Sequence, residues 1–88
     1  MHAVVVDVSI SDRESAERQL HEQVVPRVSQ APGFVAGFWL EPVEGKGHSI
    51  AVFESEEAAT GMAGMVRASA PSQVTIENVE VRAVVANA

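Results

Sequence analysis

The chain has 88 residues, 47% of them hydrophobic and 20% charged, a composition that predicts a single globular domain over residues 1–88. The absence of cysteine excludes disulfides, thiolate metal sites and a cysteine nucleophile. A net charge of −6 with scattered basic residues argues against a nucleic-acid partner, because phosphate binding needs clustered positive charge. We see no apolar span suited to a membrane helix or a signal peptide, so we expect a cytoplasmic protein without a membrane partner.

The first third of the chain predicts a strand followed by an amphipathic helix. Residues 3–10 are rich in β-branched side chains and are bounded by polar residues, as is typical of a strand. Ser11 and Glu14 fit a capping box at the start of a helix. An apolar stripe then recurs every four residues, at Ala16, Leu20, Val24 and Val28. Pro26 should kink this helix or end it early, because it cannot donate a backbone hydrogen bond.

The remaining two thirds predict a hairpin, a second helix and a last strand. Residues 34–41 and 47–54 read as two strands joined by the glycine-containing loop "PVEGKG". Ser55 is the expected N-cap of the second helix, which Pro71 should end. The alternating residues 73–85 form the last predicted strand.

The predicted order β-α-β-β-α-β is that of the ferredoxin-like α+β fold. This fold has a four-stranded antiparallel sheet with both helices on one face. The strand segments "VVV", "FVAGFWL" and "IAVF" are apolar on both sides, whereas a sheet with one solvated face should alternate. We therefore expect a homodimer, in which a second subunit covers the sheet face that the helices leave open.

The hairpin allows the two sheet faces to be assigned. A turn near Glu44 would place Trp39 opposite Ser49, and it would place Val35 opposite Phe53. One face then carries large aromatic side chains separated by small residues, which suits a cavity. We expect its substrate-binding residues to be Trp39, Ser49, Phe53 and Met62. The expected dimer-interface residues on the other face are Phe34, Phe38, His48, Ile50 and Val52. A bulge in the hairpin would exchange this assignment for one strand.

Asp7 is the main anomaly of the first strand, because a charge in an apolar run is costly unless it is paired. A desolvated carboxylate has a raised pKa and could act as a catalytic base toward an acidic phenol or carbon. The alternative is a structural role, in which Asp7 forms an ion pair with Arg82 on the last strand or a local hydrogen bond. The three histidines, His2, His21 and His48, share no metal-ligand spacing, so no metal site is predicted.

Two segments, "APGFVAGFW" after a proline-containing helix and "SIAVFESEEAA", resemble the antibiotic-biosynthesis-monooxygenase-like family of dimeric α+β barrels. The resemblance covers nearly the whole chain and implies a dimer with a cavity between each sheet and its helices. Some members of that family oxygenate polycyclic aromatic substrates without metal or flavin, and others cleave haem. For this chain we expect no cofactor.

The chain departs from the family at three places that bear on its chemistry. Phe53 stands where members often carry Trp, and Met62 stands near the place of a helix His. Asp7 is the nearest match to an Asn of haem-degrading members. Without the helix His, the expected axial ligand of a haem is missing.

The leading hypothesis is a cofactor-independent monooxygenase-like protein that acts on or binds a flat aromatic or apolar molecule. The alternative is a non-catalytic dimeric ligand-binding or interaction module.

Overall fold

The order of strands and helices follows the pattern expected from the sequence. The computed structural model describes residues 1–69 and 73–88, so the predicted helix end at Pro71 lies outside the described residues. The elements are β1 (His2–Ile10), α1 (Arg13–Gln19), a π-helical turn (Leu20–Val24), α2 (Val25–Ser29), β2 (Phe34–Trp39), β3 (Lys46–Phe53), α3 (Glu56–Ala68) and β4 (Val74–Ala83). Within the described part of the chain, none of the helices is long and apolar enough to cross a membrane.

The four strands form one antiparallel sheet with the order β2-β3-β1-β4. This order and the two helical regions confirm the ferredoxin-like α+β fold. Successive side chains of a strand point to opposite faces of a sheet. Val4 and Val6 are buried in the core with α3, so their side of the sheet is called the inner face. Val5 and Asp7 alternate with them and lie on the opposite side, called the outer face.

The first helix begins one residue later than the capping box predicted. Asp12 is the N-cap, and its Oδ1 accepts a hydrogen bond from the Ser15 N–H at 3.2 Å. Ser11, the predicted cap, instead donates its hydroxyl to the carbonyl oxygen of Gln73, 3.2 Å away. Ser and Asp are both favoured N-caps, so residue type alone could not separate these adjacent candidates.

A π-helical turn carries the first helix past Pro26. The chain stays helical to Ser29, so the predicted early end at Pro26 is wrong. An α-helix rotates about 100° per residue, so four residues cover about 40° more than a full turn. Residues spaced by four therefore drift around a regular α-helix. The Val25 N–H bonds to the Leu20 carbonyl oxygen, and this wider turn takes up part of the overshoot. The apolar stripe therefore continues to face the sheet.

The tight corners of the chain occur at residues with positive φ. Gly33, with φ of 80°, turns the chain from α2 into β2. Glu44 and Gly45 have φ of 54° and 76°, and the flanking Val43 and Lys46 exchange two backbone hydrogen bonds of 2.9 Å. Positive φ at both central residues is the signature of a type I′ turn, whose twist matches that of the paired strands. The predicted turn near Glu44 is therefore confirmed.

The core lies between the inner face of the sheet and the helices. Phe53 and Val4 are its largest fully buried side chains. The other buried members of the cluster are Val6, Val28, Ala51, Ala59, Met62 and Ala63. Since β1, β3, α2 and α3 all contribute, the core ties the two helical regions to the two central strands.

Candidate functional site

A cavity of about 660 Å³ lies between the inner face of the sheet and the helices. Its floor on the sheet is apolar and includes Val4, Val6, Val8 and Ala51. The first helical region contributes one wall, with Ala16, Leu20, Val24 and Val28. Met62 and Val66 of α3 contribute another. The period-four stripe thus forms a cavity wall, a role that the sequence analysis did not assign to it.

Three of the four predicted substrate-binding residues line this cavity. Trp39 and Ser49 are paired across β2 and β3, as the hairpin register predicted, and both contribute to the floor. Met62 lines the cavity from α3. Phe53, expected to be a fourth wall, is fully buried in the core and is not among the lining residues. Its assignment to the cavity was therefore wrong, because α3 and Phe34 cover its ring.

A bulge at the start of β2 reverses the predicted face of Phe34. The register shifts between Phe34 and Ala36, so that Phe34, and not Val35, is paired with Phe53. The rings of Phe34 and Phe53 meet edge to face, with centroids 5.9 Å apart. Phe34 therefore packs on the inner side of the sheet. Its expected position on the outer face was wrong, because the bulge adds one residue to β2 and so reverses the side on which Phe34 lies.

Asp7 lies on the outer face, away from the cavity. It is paired in register with His48, and its Oδ1 is 2.5 Å from Nδ1 of that ring. Arg82, the other predicted partner, forms its ion pair with Glu80 at 3.2 Å. The catalytic expectation is corrected, because the carboxylate does not line the cavity. The structural alternative is corrected only in the named partner, since Asp7 is paired with His48 and not with Arg82. The strand is apolar on both sides, so its sequence pattern did not reveal which face Asp7 occupies.

The outer face combines exposed apolar side chains with a band of paired charges. Phe38 is 59% exposed, and Ile50 and Val52 are half-buried on the same side. Lys46 Nζ lies 3.2 Å from Glu77 Oε1. Hydrogen bonds from Ser9 and Lys46 hold the pKa of Glu77 below its ordinary value. Phe38, Ile50, Val52 and His48 thus share the face on which the sequence analysis expected them.

The rim of the cavity carries an ion-pair network. Arg13 Nε lies 3.1 Å from Glu17 Oε1, and Arg13 Nη2 lies 3.3 Å from Glu41 Oε2. The second pair joins the start of the first helix to the β2–β3 connection. Hydrogen bonds to Glu17 and Glu41 raise the pKa of the Arg13 guanidinium. All three side chains are about half exposed or more, so solvent weakens the network.

Gln19 was not singled out in the sequence, although it lines the cavity. Its Oε1 is buried without a hydrogen-bond partner among the described residues. Leaving such an oxygen unpaired costs about 1–3 kcal/mol. The spacing of apolar residues could identify the wall to which Gln19 belongs, but it carries no signal for a polar residue beside that wall.

Across residues 1–69 and 73–88, the structure contains no group of three or more His, Cys, Asp or Glu side chains arranged to hold a metal ion.

Residues 14–87 match a family described as "Protein of unknown function (DUF3240)". A comparison with curated proteins gives no match. Among solved structures, MupZ from Pseudomonas fluorescens is similar, with a TM-score of 0.70 and 15% identity over 91% of this chain and 65% of MupZ. The chain therefore spans about two thirds of the length of MupZ.

Two structures of MhuD are also similar to this chain. One is a variant with two manganese protoporphyrin IX molecules bound per active site, with a TM-score of 0.65 and 18% identity, covering 100% of this chain and 98% of MhuD. The other is the heme-degrader MhuD from Mycobacterium tuberculosis with two hemes bound. It has a TM-score of 0.57 and 24% identity, and the match covers 97% of this chain and 98% of MhuD. At these identities the likeness shows the fold alone. The likeness confirms the ferredoxin-like α+β fold that the resemblance implied.

Proposed function

We propose that this chain, which belongs to the DUF3240 family of proteins of unknown function, binds a flat, apolar small molecule in the cavity between its sheet and its helices. The observation that carries this proposal is the cavity itself, with about 660 Å³ of space and a floor of valine, alanine and tryptophan side chains. Ligand sites in proteins typically enclose about 300–1,000 Å³ and have mostly apolar walls with a few polar groups.

The polar groups of the cavity suit a ligand with one or two hydrogen-bonding atoms. The Ser49 hydroxyl is one polar group on the sheet side, and the Gln19 amide is one on the helix side. A donor on the ligand could offset the unpaired Gln19 oxygen after a rotation of that amide. The indole of Trp39 offers an aromatic surface to a ring system. The porphyrins bound by MhuD support the idea that this fold can hold large planar molecules.

Binding without catalysis agrees best with the positions of the acidic groups. Asp7, the one carboxylate expected to act as a base, lies on the outer face beside His48. The acids nearest the cavity, Glu17 and Glu41, are at its rim and paired with Arg13. A general base must be within hydrogen-bond reach of the proton it takes, and Asp7 does not meet this condition.

We propose in addition that the protein is a homodimer joined through its outer sheet faces. Phe38 at 59% exposed, together with the half-buried Ile50 and Val52, supports this arrangement. A chain of this size buries only about 60–65% of its unfolded surface by itself, so a second sheet would add substantial stabilisation.

Titration with Nile red, a neutral planar dye, tests the binding proposal. The chain has a single Trp, so quenching of Trp39 emission reports directly on occupation of the cavity. We expect saturable dye binding, and we expect Ser49→Leu to weaken it about tenfold because the larger side chain fills the floor. Asp7→Asn is the matched control, since it changes a strand residue on the other face. Equal affinity for the wild type and Ser49→Leu would contradict the proposal.

An oxygen-uptake assay with anthrone separates binding from catalysis. We expect no catalysed uptake by the wild type, because Asp7 lies on the outer face and the lining acids Glu17 and Glu41 are paired with Arg13. Uptake that is catalysed by the wild type and lost in Asp7→Asn would instead support the monooxygenase hypothesis.

A further inference from the structure

The indole of Trp39 occupies space that a glycine at position 37 leaves free. Gly37 and Trp39 are two residues apart on β2, so both face inward. A Cβ on Gly37 would lie 3.0 Å from both Cη2 and Cζ3 of Trp39, and 3.4 Å from Cε1 of Phe34. Carbon atoms normally meet at about 3.5–4.0 Å. The benzo edge of the indole therefore rests directly over the backbone of Gly37, beside the Phe34 ring.

Position 37 needs a glycine because the Trp39 ring lies close to its backbone, and not because of its backbone conformation. Within the described residues, the glycines with positive φ are Gly33 and Gly45, so an L-residue fits the backbone of Gly37. Glycine weakens the interior of a strand and often marks a place where another group approaches the backbone closely. Here the approaching group is the aromatic side chain of the cavity floor.

We propose that Gly37 is a positioning residue that sets how large a planar ligand the cavity accepts. By letting the indole edge lie against the sheet, it keeps the space above Ser49 and Trp39 open. A side chain at position 37 would lift the indole away from the sheet and into that space. This inference rests on the proposed function, because it assigns the size limit of the ligand site to one residue.

A graded series at Gly37 tests the inference by Nile red titration. In Gly37→Ala the indole must yield by a few tenths of an ångström, whereas in Gly37→Val it must leave its present position. We expect dye affinity to fall about threefold in the first variant and about tenfold or more in the second. Ala36→Val adds the same kind of bulk to the same strand on the outer face, and it should leave dye affinity unchanged.

A double variant shows whether the effect passes through the indole. In a Trp39→Leu background no indole remains to be displaced, so Gly37→Val should cause little further loss of dye affinity, followed here by the emission of the dye itself. The same loss in both backgrounds would overturn the inference.

Nuclear Overhauser contacts provide a readout that does not depend on ligand binding. We expect contacts between the Hα protons of Gly37 and the ring protons on Cη2 and Cζ3 of Trp39 in the wild type. If these contacts are found but the wild type does not bind dye, the placement of the indole over Gly37 is supported, whereas the proposed function and the ligand-size limit that rests on it fail. Absence of the contacts, or unchanged dye affinity in Gly37→Val with a binding-competent wild type, would overturn the inference.

Discussion

At the scale of single residues, Asp12 shows how one side chain links the start of a helix to pH. Its carboxylate accepts hydrogen bonds from the Ser15 N–H at 3.2 Å and from the Ser15 hydroxyl at 3.0 Å. The backbone hydrogen bond of Ser15, followed by its side-chain hydrogen bond, lowers the pKa of Asp12. A group whose pKa is lower in the folded state stabilises the fold above its unfolded pKa. That contribution is lost as the pH falls through the folded pKa.

Asp12→Asn should separate capping from this titration. Asparagine caps a helix about as well as aspartate, but it carries no charge to lose. We expect the wild type to be the more stable of the two at about pH 6, where the carboxylate also favours the helix N-terminus, and the difference to disappear by about pH 2. Thermal unfolding of both proteins across this range measures it. A constant difference at every pH would contradict the role given to the Asp12 charge.

At the scale of elements, α3 contains two exposed glycines that lower its helix propensity. Ala59, Met62 and Ala63 are buried, whereas Gly61 and Gly64 are exposed, with no atom within 4 Å of an added Cβ. The helix is therefore held by its buried side and by its N-cap, where the Ala58 N–H donates to Ser55 Oγ at 3.1 Å. Its glycines weaken it without serving the core.

Gly61→Ala and Gly64→Ala should each raise the free energy of unfolding by about 0.5–1 kcal/mol. The gain comes from better helix propensity and a less flexible unfolded chain, since neither methyl meets a neighbour. Urea unfolding measures the change. Gly33→Ala is the contrasting variant: its φ of 80° and a contact of 3.1 Å to Ala58 Cβ should make alanine destabilising there. A loss of stability in the two helix variants would show that these glycines have another role.

At the scale of the whole molecule, the outer face of the sheet exposes apolar side chains that a stable monomer would normally cover. Its apolar side chains lie around an Asp7–His48 pair and a Lys46–Glu77 pair. Each of these four side chains has a polar partner within one chain, so a second sheet could cover the face without separating them from their partners. The proposed dimer would therefore bury apolar area while leaving the cavity on the other side of each sheet unchanged.

Ile50→Glu should convert the proposed dimer to a monomer, because an unpaired charge buried between sheets costs about 3–5 kcal/mol. Sedimentation equilibrium of the wild type and the variant measures the change in association. Val43→Glu is the control, since Val43 is 64% exposed in the hairpin turn and lies outside the paired strands. A wild type that remains monomeric at high concentration, or an Ile50→Glu variant that stays dimeric, would contradict this arrangement.

Local patterns determined most of the fold. β-branched runs, one apolar stripe, a turn with glycine and a serine cap were sufficient to predict the β-α-β-β-α-β order and the pairing of Trp39 with Ser49. These features depend on residues close together in the chain, for which spacing and propensity carry the information. Trp39, Ser49 and Met62 could therefore be assigned to the cavity side before the structure was known.

Contacts between distant parts of the chain depend on how the strands pair, which local sequence patterns do not encode. The bulge between Phe34 and Ala36 turned Phe34 inward, and the pairing of β1 with β3 set Asp7 beside His48 on the outer face. A strand that is apolar on both sides does not reveal its own orientation, and a shift of one residue exchanges its faces. Local sequence patterns therefore predicted the ferredoxin-like domain and the inward position of Trp39. The strand register decided that the cavity contains Trp39 without Asp7.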